Sequence, residues 1–290
     1  MNAPQPSATL ETTQSLARTA TFGRVVRAEW IKLSTLRITW AAVAIAFVGV
    51  LLLGIAAAAG AEYARDIDPG LELNRQIYAM STGLSTAVLV FLLLGVASIG
   101  NEHTSGLIRV TLTVMPRRGL AFGARALVLV VLAFTTTIVS LLATIAVTAL
   151  ILADKGYTLS YTSAIMVTAF IGAAFSVPMV ALIGLAIGSL MRSTAGGMLV
   201  ALLVVLGIPF ALQALGLALD AAWPTNLARL LPADQPWTMA SVPDLAALDL
   251  PQFDGKGYLQ PFTWQAWAIL STWTALLTGI ACAAFIRRRA

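Results

Sequence analysis

Six long stretches of this chain carry no charged residue, and every charge lies outside them. They run 39–61, 77–100, 126–153, 162–191, 195–219 and 263–286. Each exceeds the ~20 apolar residues that a helix needs to cross a ~30 Å hydrocarbon core. One such run can be a buried helix of a soluble domain; six in succession predict an all-α integral membrane protein with six transmembrane helices. Composition agrees. Of 290 residues, 59% are hydrophobic and 11% charged, where a soluble domain carries about 25% charged residues.

The net charge of +5 invites a nucleic-acid reading, but the distribution of charge points to topology. With residue 1 in the cytoplasm, the inner segments hold thirteen of the eighteen basic residues and three of the thirteen acids. Lys and Arg in short loops near span ends set orientation. Both termini are therefore expected in the cytoplasm, as an even number of spans requires.

Residues 1–20 are polar and read as a disordered tail. The first apolar run follows a 38-residue leader, so an uncleaved span is expected, despite the Ala-rich end at Ala56–Ala61. Residues 21–38 read as an amphipathic helix on the cytoplasmic face. Phe22, Val26, Trp30, Leu33 and Leu36 fall on one side, Arg24, Arg27, Ser34 and Thr35 on the other. Glu29 sits near the centre of the apolar stripe, where an unpaired acid is costly. It either snorkels to water or meets a protein partner. Residues 39–290 make the six-span domain. Its longest outer loop, 220–262, carries Trp223 and Trp237, which read as an interfacial belt.

Within the spans, Pro178 and Pro209 should bend their helices locally. Gly184 and Gly188 form a small-xxx-small pair suited to close helix contact. Thr136, Ser140, Thr144 and Thr148 make a hydroxyl stripe that should face protein or water rather than lipid. Cys282 reads as a small core residue.

Much chemistry is missing. No span carries an ionisable residue, which counts against a proton- or sodium-driven carrier and an intramembrane enzyme. His103 has no second His or Cys placed to share a zinc ion. Gly255-Lys256-Gly257 lacks the Ser or Thr of a phosphate loop and lies on the outer side. Uphill movement would need energy from another subunit.

The segment 101–118, between the second and third uncharged stretches, is basic. Over Ile108–Val114 it alternates like a strand. A short helix from Asn101 that stops before Pro116 would instead satisfy its own backbone. It contains a Glu near the end of the second span, then a Gly, a basic residue, a Leu and Pro-Arg-Arg. These are Glu102, Gly106, Arg109, Leu112, Pro116, Arg117 and Arg118. In that order they resemble the coupling region of type-2 ATP-binding-cassette (ABC) exporter permeases. Arg27-Ala28-Glu29-Trp30-Ile31-Lys32-Leu33 is similar to the family's membrane-surface helix, with Glu29, Trp30 and Lys32 its marked positions. Leu107 departs from the Thr that many relatives place there. Six spans and a long last outer loop extend the resemblance over nearly the whole chain.

The resemblance implies a bacterial plasma-membrane permease that works with a second permease, identical or related, and two cytoplasmic ATPase subunits. The seven residues from Glu102 to Arg118 would engage the ATPase. This chain would bind no cofactor of its own; ATP and Mg belong to the partner. The second and fifth spans would line the path, with Ser81, Thr82, Ser85, Thr86, Met198 and Gln213 as candidate lining residues. The cargo would be an amphiphilic drug, lipid or peptide. Two alternatives stand beside this. One is a non-transporting scaffold, immunity or assembly protein of the same fold. The other is an enzyme with an outer site on Asp66, Asp68, Asp234 or Asp254.

Overall fold

The computed structural model describes residues 21–61, 69–104, 118–158, 161–191, 193–241, 257, 259 and 261–287. All regular structure among them is helical. Helix α1 (Phe22–Thr35) leads into α2 (Arg37–Ala59). Helices α3 (Pro69–Ser81) and α4 (Leu84–Thr104) follow, then the long α5 (Arg118–Asp154) and α6 (Ala164–Met191). Helix α7 (Thr194–Leu202) passes through a π-turn, Leu203–Gly207, into α8 (Ile208–Leu219). Two short helices, α9 (Ala222–Arg229) and α10 (Gln235–Met239), precede α11 (Thr263–Arg287).

Six helical stretches are long and apolar enough to cross a membrane: Arg37–Ala59, Glu72–Gly100, Gly119–Asp154, Ala164–Met191, Thr194–Leu219 and Thr263–Arg287. The second joins α3 to α4 across a break at Thr82–Gly83. There the first span comes so close that a Cβ on Gly83 would stand 2.4 Å from the Val50 Cα. The third is carried by a helix that begins eight residues before the uncharged stretch, at Arg118.

The second and fourth spans form the axis of the bundle. In their apolar windows 67% and 72% of residues are buried, against 17–22% for the first, fifth and sixth. Glycines make this contact possible. A Cβ on Gly184 would meet the Leu92 carbonyl oxygen at 2.1 Å, and one on Gly188 the Val96 oxygen at 2.7 Å. Gly95 approaches the Ala181 oxygen from the opposite helix in the same way. The small-xxx-small pair thus sits in the tightest seam of the bundle. Without a hydrophobic drive between helices in lipid, such close packing is what holds spans together.

The hydroxyl stripe of α5 faces protein. Thr136, Ser140, Thr144 and Thr148 are buried. Ser140 donates to the Thr136 oxygen at 2.7 Å and Thr148 to the Thr144 oxygen at 2.8 Å. The Thr144 methyl fills the space left by Gly54 on α2.

Polar clasps close the end of the bundle that carries Asp154. Lys155 donates to the carbonyl oxygens of Ala59, at 2.6 Å, and Ala61. A cation there satisfies orphan carbonyls and complements the helix dipole of α2. Glu72 accepts from the Thr158 amide and hydroxyl, while Gln76 Nε2 donates to the Thr158 oxygen at 2.7 Å. Helix α10 lies on α6 where Gly172 leaves room for the Met239 carbonyl. Trp273 Nε1 of α11 donates to the Leu230 oxygen at 3.0 Å.

Candidate functional site

Two features of the fold concentrate chemistry: a cavity beside the second and fifth spans, and a buried ion pair under α1.

The cavity exists because the fifth span leaves the bundle. Ser193 caps α7, its side chain accepting from the Gly196 amide at 3.2 Å. Pro209 then removes the N–H that would bond the Val205 carbonyl, and its ring crowds that carbonyl. The helix widens into the π-turn Leu203–Gly207 immediately before it. Beyond the turn, α8 packs against α9 and leaves Phe210, Leu217 and Leu219 exposed. By contrast α6 runs through Pro178 as one unbroken helix.

The resulting cavity holds about 410 Å³. One wall is α4 from Leu84 to Val90, with Ser85 and Thr86 among its lining residues. Val205 and Leu206 of the π-turn stand opposite, and Ile45 of α2 borders the side. Ala233, Pro236 and Trp237 roof it. The Trp237 ring is held edge-on to Tyr78, centroids 6.0 Å apart and planes at 86°. Of the expected lining residues, Ser85 and Thr86 reach this cavity. Ser81 is buried and donates to the Ile77 oxygen at 2.8 Å; Thr82 donates to the Tyr78 oxygen. Met198 packs against the core of the bundle, and Gln213 is exposed on α8. Sequence reasoning missed Trp237 as a cavity residue, since a belt position and a roof position look alike in a sequence.

The second feature answers the question posed by Glu29. Helix α1 buries Val25, Glu29 and Leu33, one face at four-residue spacing, and exposes Trp30 and Ile31. That buried face lies on α5. Arg125 Nε donates to Glu29 Oε2 at 2.9 Å, with the two side chains 6% and 8% exposed. Lys32, one turn along, is half-buried. Burial holds its ammonium below the usual lysine range; the Arg125 charge adds to this and Glu29 opposes it. The apolar stripe of α1 is therefore divided, with one edge on protein and the other exposed.

Two of the expected coupling residues, Glu102 and Arg118, lie at this same end. Glu102 falls in the last turn of α4, and Arg118 opens α5. Gly106, Arg109, Leu112, Pro116 and Arg117 lie outside the described residues. The end of α4 meets the start of α7, where Gly100 packs on Thr194. The start of α5 meets the end of α11 through Phe122 and Phe285, ring centroids 5.9 Å apart.

Protein-family models and curated proteins were both searched with this chain, and neither search found a match.

Proposed function

We propose that this chain is the membrane-spanning permease subunit of an ABC exporter, oriented with α1 and both termini in the cytoplasm. The observation that carries the reading is the cavity between the second and fifth spans, with Ser85 and Thr86 in its wall. The resemblance in segment 101–118 implies a path at that place. Concave, mostly apolar pockets with a few polar groups are the usual form of small-molecule sites. A partner ATPase supplies the energy, and the loop that starts at Glu102 and ends at Arg118 receives it.

The ion pair gives this coupling a physical form. Helix α5 begins where the loop ends, and seven residues later Arg125 grips α1. Displacing the loop would move α5 and α1 together. ATP would act by favouring one arrangement of the complex over another. The cargo is an amphiphile moving outward.

The test is transport and ATP hydrolysis in a reconstituted complex with the Glu102→Ala and Arg109→Ala variants. The reading expects both variants to assemble and to lose transport. Normal transport in both would remove the coupling role. A complex whose ATP hydrolysis ignores every cargo would instead support a non-transporting scaffold.

A further inference from the structure

We propose that the cavity selects an uncharged amphiphile that bears a hydroxyl or ester head, and that Ser85 and Thr86 hold that head. The inference rests on the permease reading only for the cavity's role in transport; binding itself is a property of this chain.

Three observations carry it. First, no charged side chain among the described residues lines the cavity. An ionised phosphate, carboxylate or ammonium would lose its hydration there with no counter-charge. Second, Ser85 and Thr86 have unused hydrogen-bonding capacity. Ser81, Thr82 and Ser98, along the same span, bond to carbonyls of their own helix. The Ser85 and Thr86 hydroxyls have no partner among the described residues. Third, the cavity opens sideways. Ile45 and Leu206, on its border, are 57% and 51% exposed, on faces that would meet lipid.

Size fits a head and part of a chain. About 410 Å³ accommodates roughly 14 non-hydrogen atoms at the ~30 Å³ that a water occupies. The rest of the tail would remain in the bilayer between Ile45 and Leu206. A second copy of this chain is a poorer occupant. The large exposed apolar side chains of its fifth span include Leu199, Leu203, Leu206, Phe210 and Leu217. These offer neither donor nor acceptor, so wherever they rather than the exposed Gln213 met the cavity both hydroxyls would be buried unpaired.

The experiment uses the full chain in phosphatidylcholine nanodiscs, with a monoacylglycerol carrying a photoreactive group on its acyl chain. Labelled residues are mapped by mass spectrometry. Expected is saturable labelling at Leu89, Val205 and Leu206, competed by plain monoacylglycerol. Lysophosphatidic acid of equal chain length should compete at least about tenfold less well. Replacing both Ser85→Ala and Thr86→Val should weaken competition by about tenfold, two modest hydrogen bonds' worth. Thr135→Val, an exposed position on α5 bonded to the Val131 oxygen, should change nothing. Equal competition by lysophosphatidic acid would overturn the proposal. So would unsaturable labelling spread over Leu142 and Leu150. None of these results depends on an ATPase. A chain that binds the neutral probe yet has no ATPase partner would retain this inference and lose the permease reading.

Discussion

Arg125 on the third-span helix donates to Glu29 on α1 at 2.9 Å, 96 residues apart in the chain and both buried. The pair ties the helix before the first span to the helix after segment 101–118. Breaking it from one side leaves a buried charge. Arg125→Gln is expected to destabilise the protein by roughly 3–5 kcal/mol. Replacing both residues, as Glu29→Leu with Arg125→Met, should cost less, because neither member of the pair is left as a buried charge without the other. Thermal unfolding of the detergent-solubilised variants checks the order. A double variant less stable than the single would contradict it.

Lys32 reports on the same junction through pH. Its ammonium is held below the usual lysine range, first by burial and then by Arg125. A base with a lowered folded pKa binds fewer protons folded than unfolded. Stability therefore rises with pH between the lowered value and the ordinary lysine value. Glu29 opposes the shift, so Glu29→Gln should lower the Lys32 pKa further and extend that rise to lower pH. Since Lys32 is half-exposed, the effect is modest. Unfolding midpoints of wild type and Glu29→Gln across the alkaline range test it, and parallel curves would count against the junction as drawn.

The seam between α4 and α6 makes a steric prediction. Gly184→Ala drives a methyl group into the Leu92 carbonyl, so the helices must part. The expected loss is about 1–3 kcal/mol. Gly279 on α11 has nothing within 4 Å of a built Cβ. Gly279→Ala should be neutral or stabilise the helix by up to about 1 kcal/mol. Paired unfolding measurements decide, and equal effects at both sites would refute this account of the seam.

The spans were legible because a membrane helix must be long and uncharged, and that demand is written residue by residue. Glu29 was legible as a misfit in an apolar stripe. Its partner was not, since Arg125 lies just outside an uncharged stretch and reads as a topology signal. Only the longer α5 brings it under α1. Ser85 and Thr86 could be singled out as hydroxyls on the second span. Ser81 and Thr82 could not be separated from them, because helix phase and the break at Gly83 decide which hydroxyls reach the cavity. That break answers to Val50, 33 residues earlier, so no local pattern announces it. Trp237 joins the cavity only when α10 folds back over the second span.

The permease reading stands or falls on a partner. The direct measurement is a mild-detergent purification of the tagged chain from its native host, with quantitative mass spectrometry of what accompanies it. The account predicts a stoichiometric subunit with a phosphate loop, at one copy per six-span chain. Retention of that subunit should weaken when Glu102 and Arg109 are both replaced by Ala, although each single variant still assembles. A chain that emerges alone or only with itself, after crosslinking in intact cells, would contradict the account.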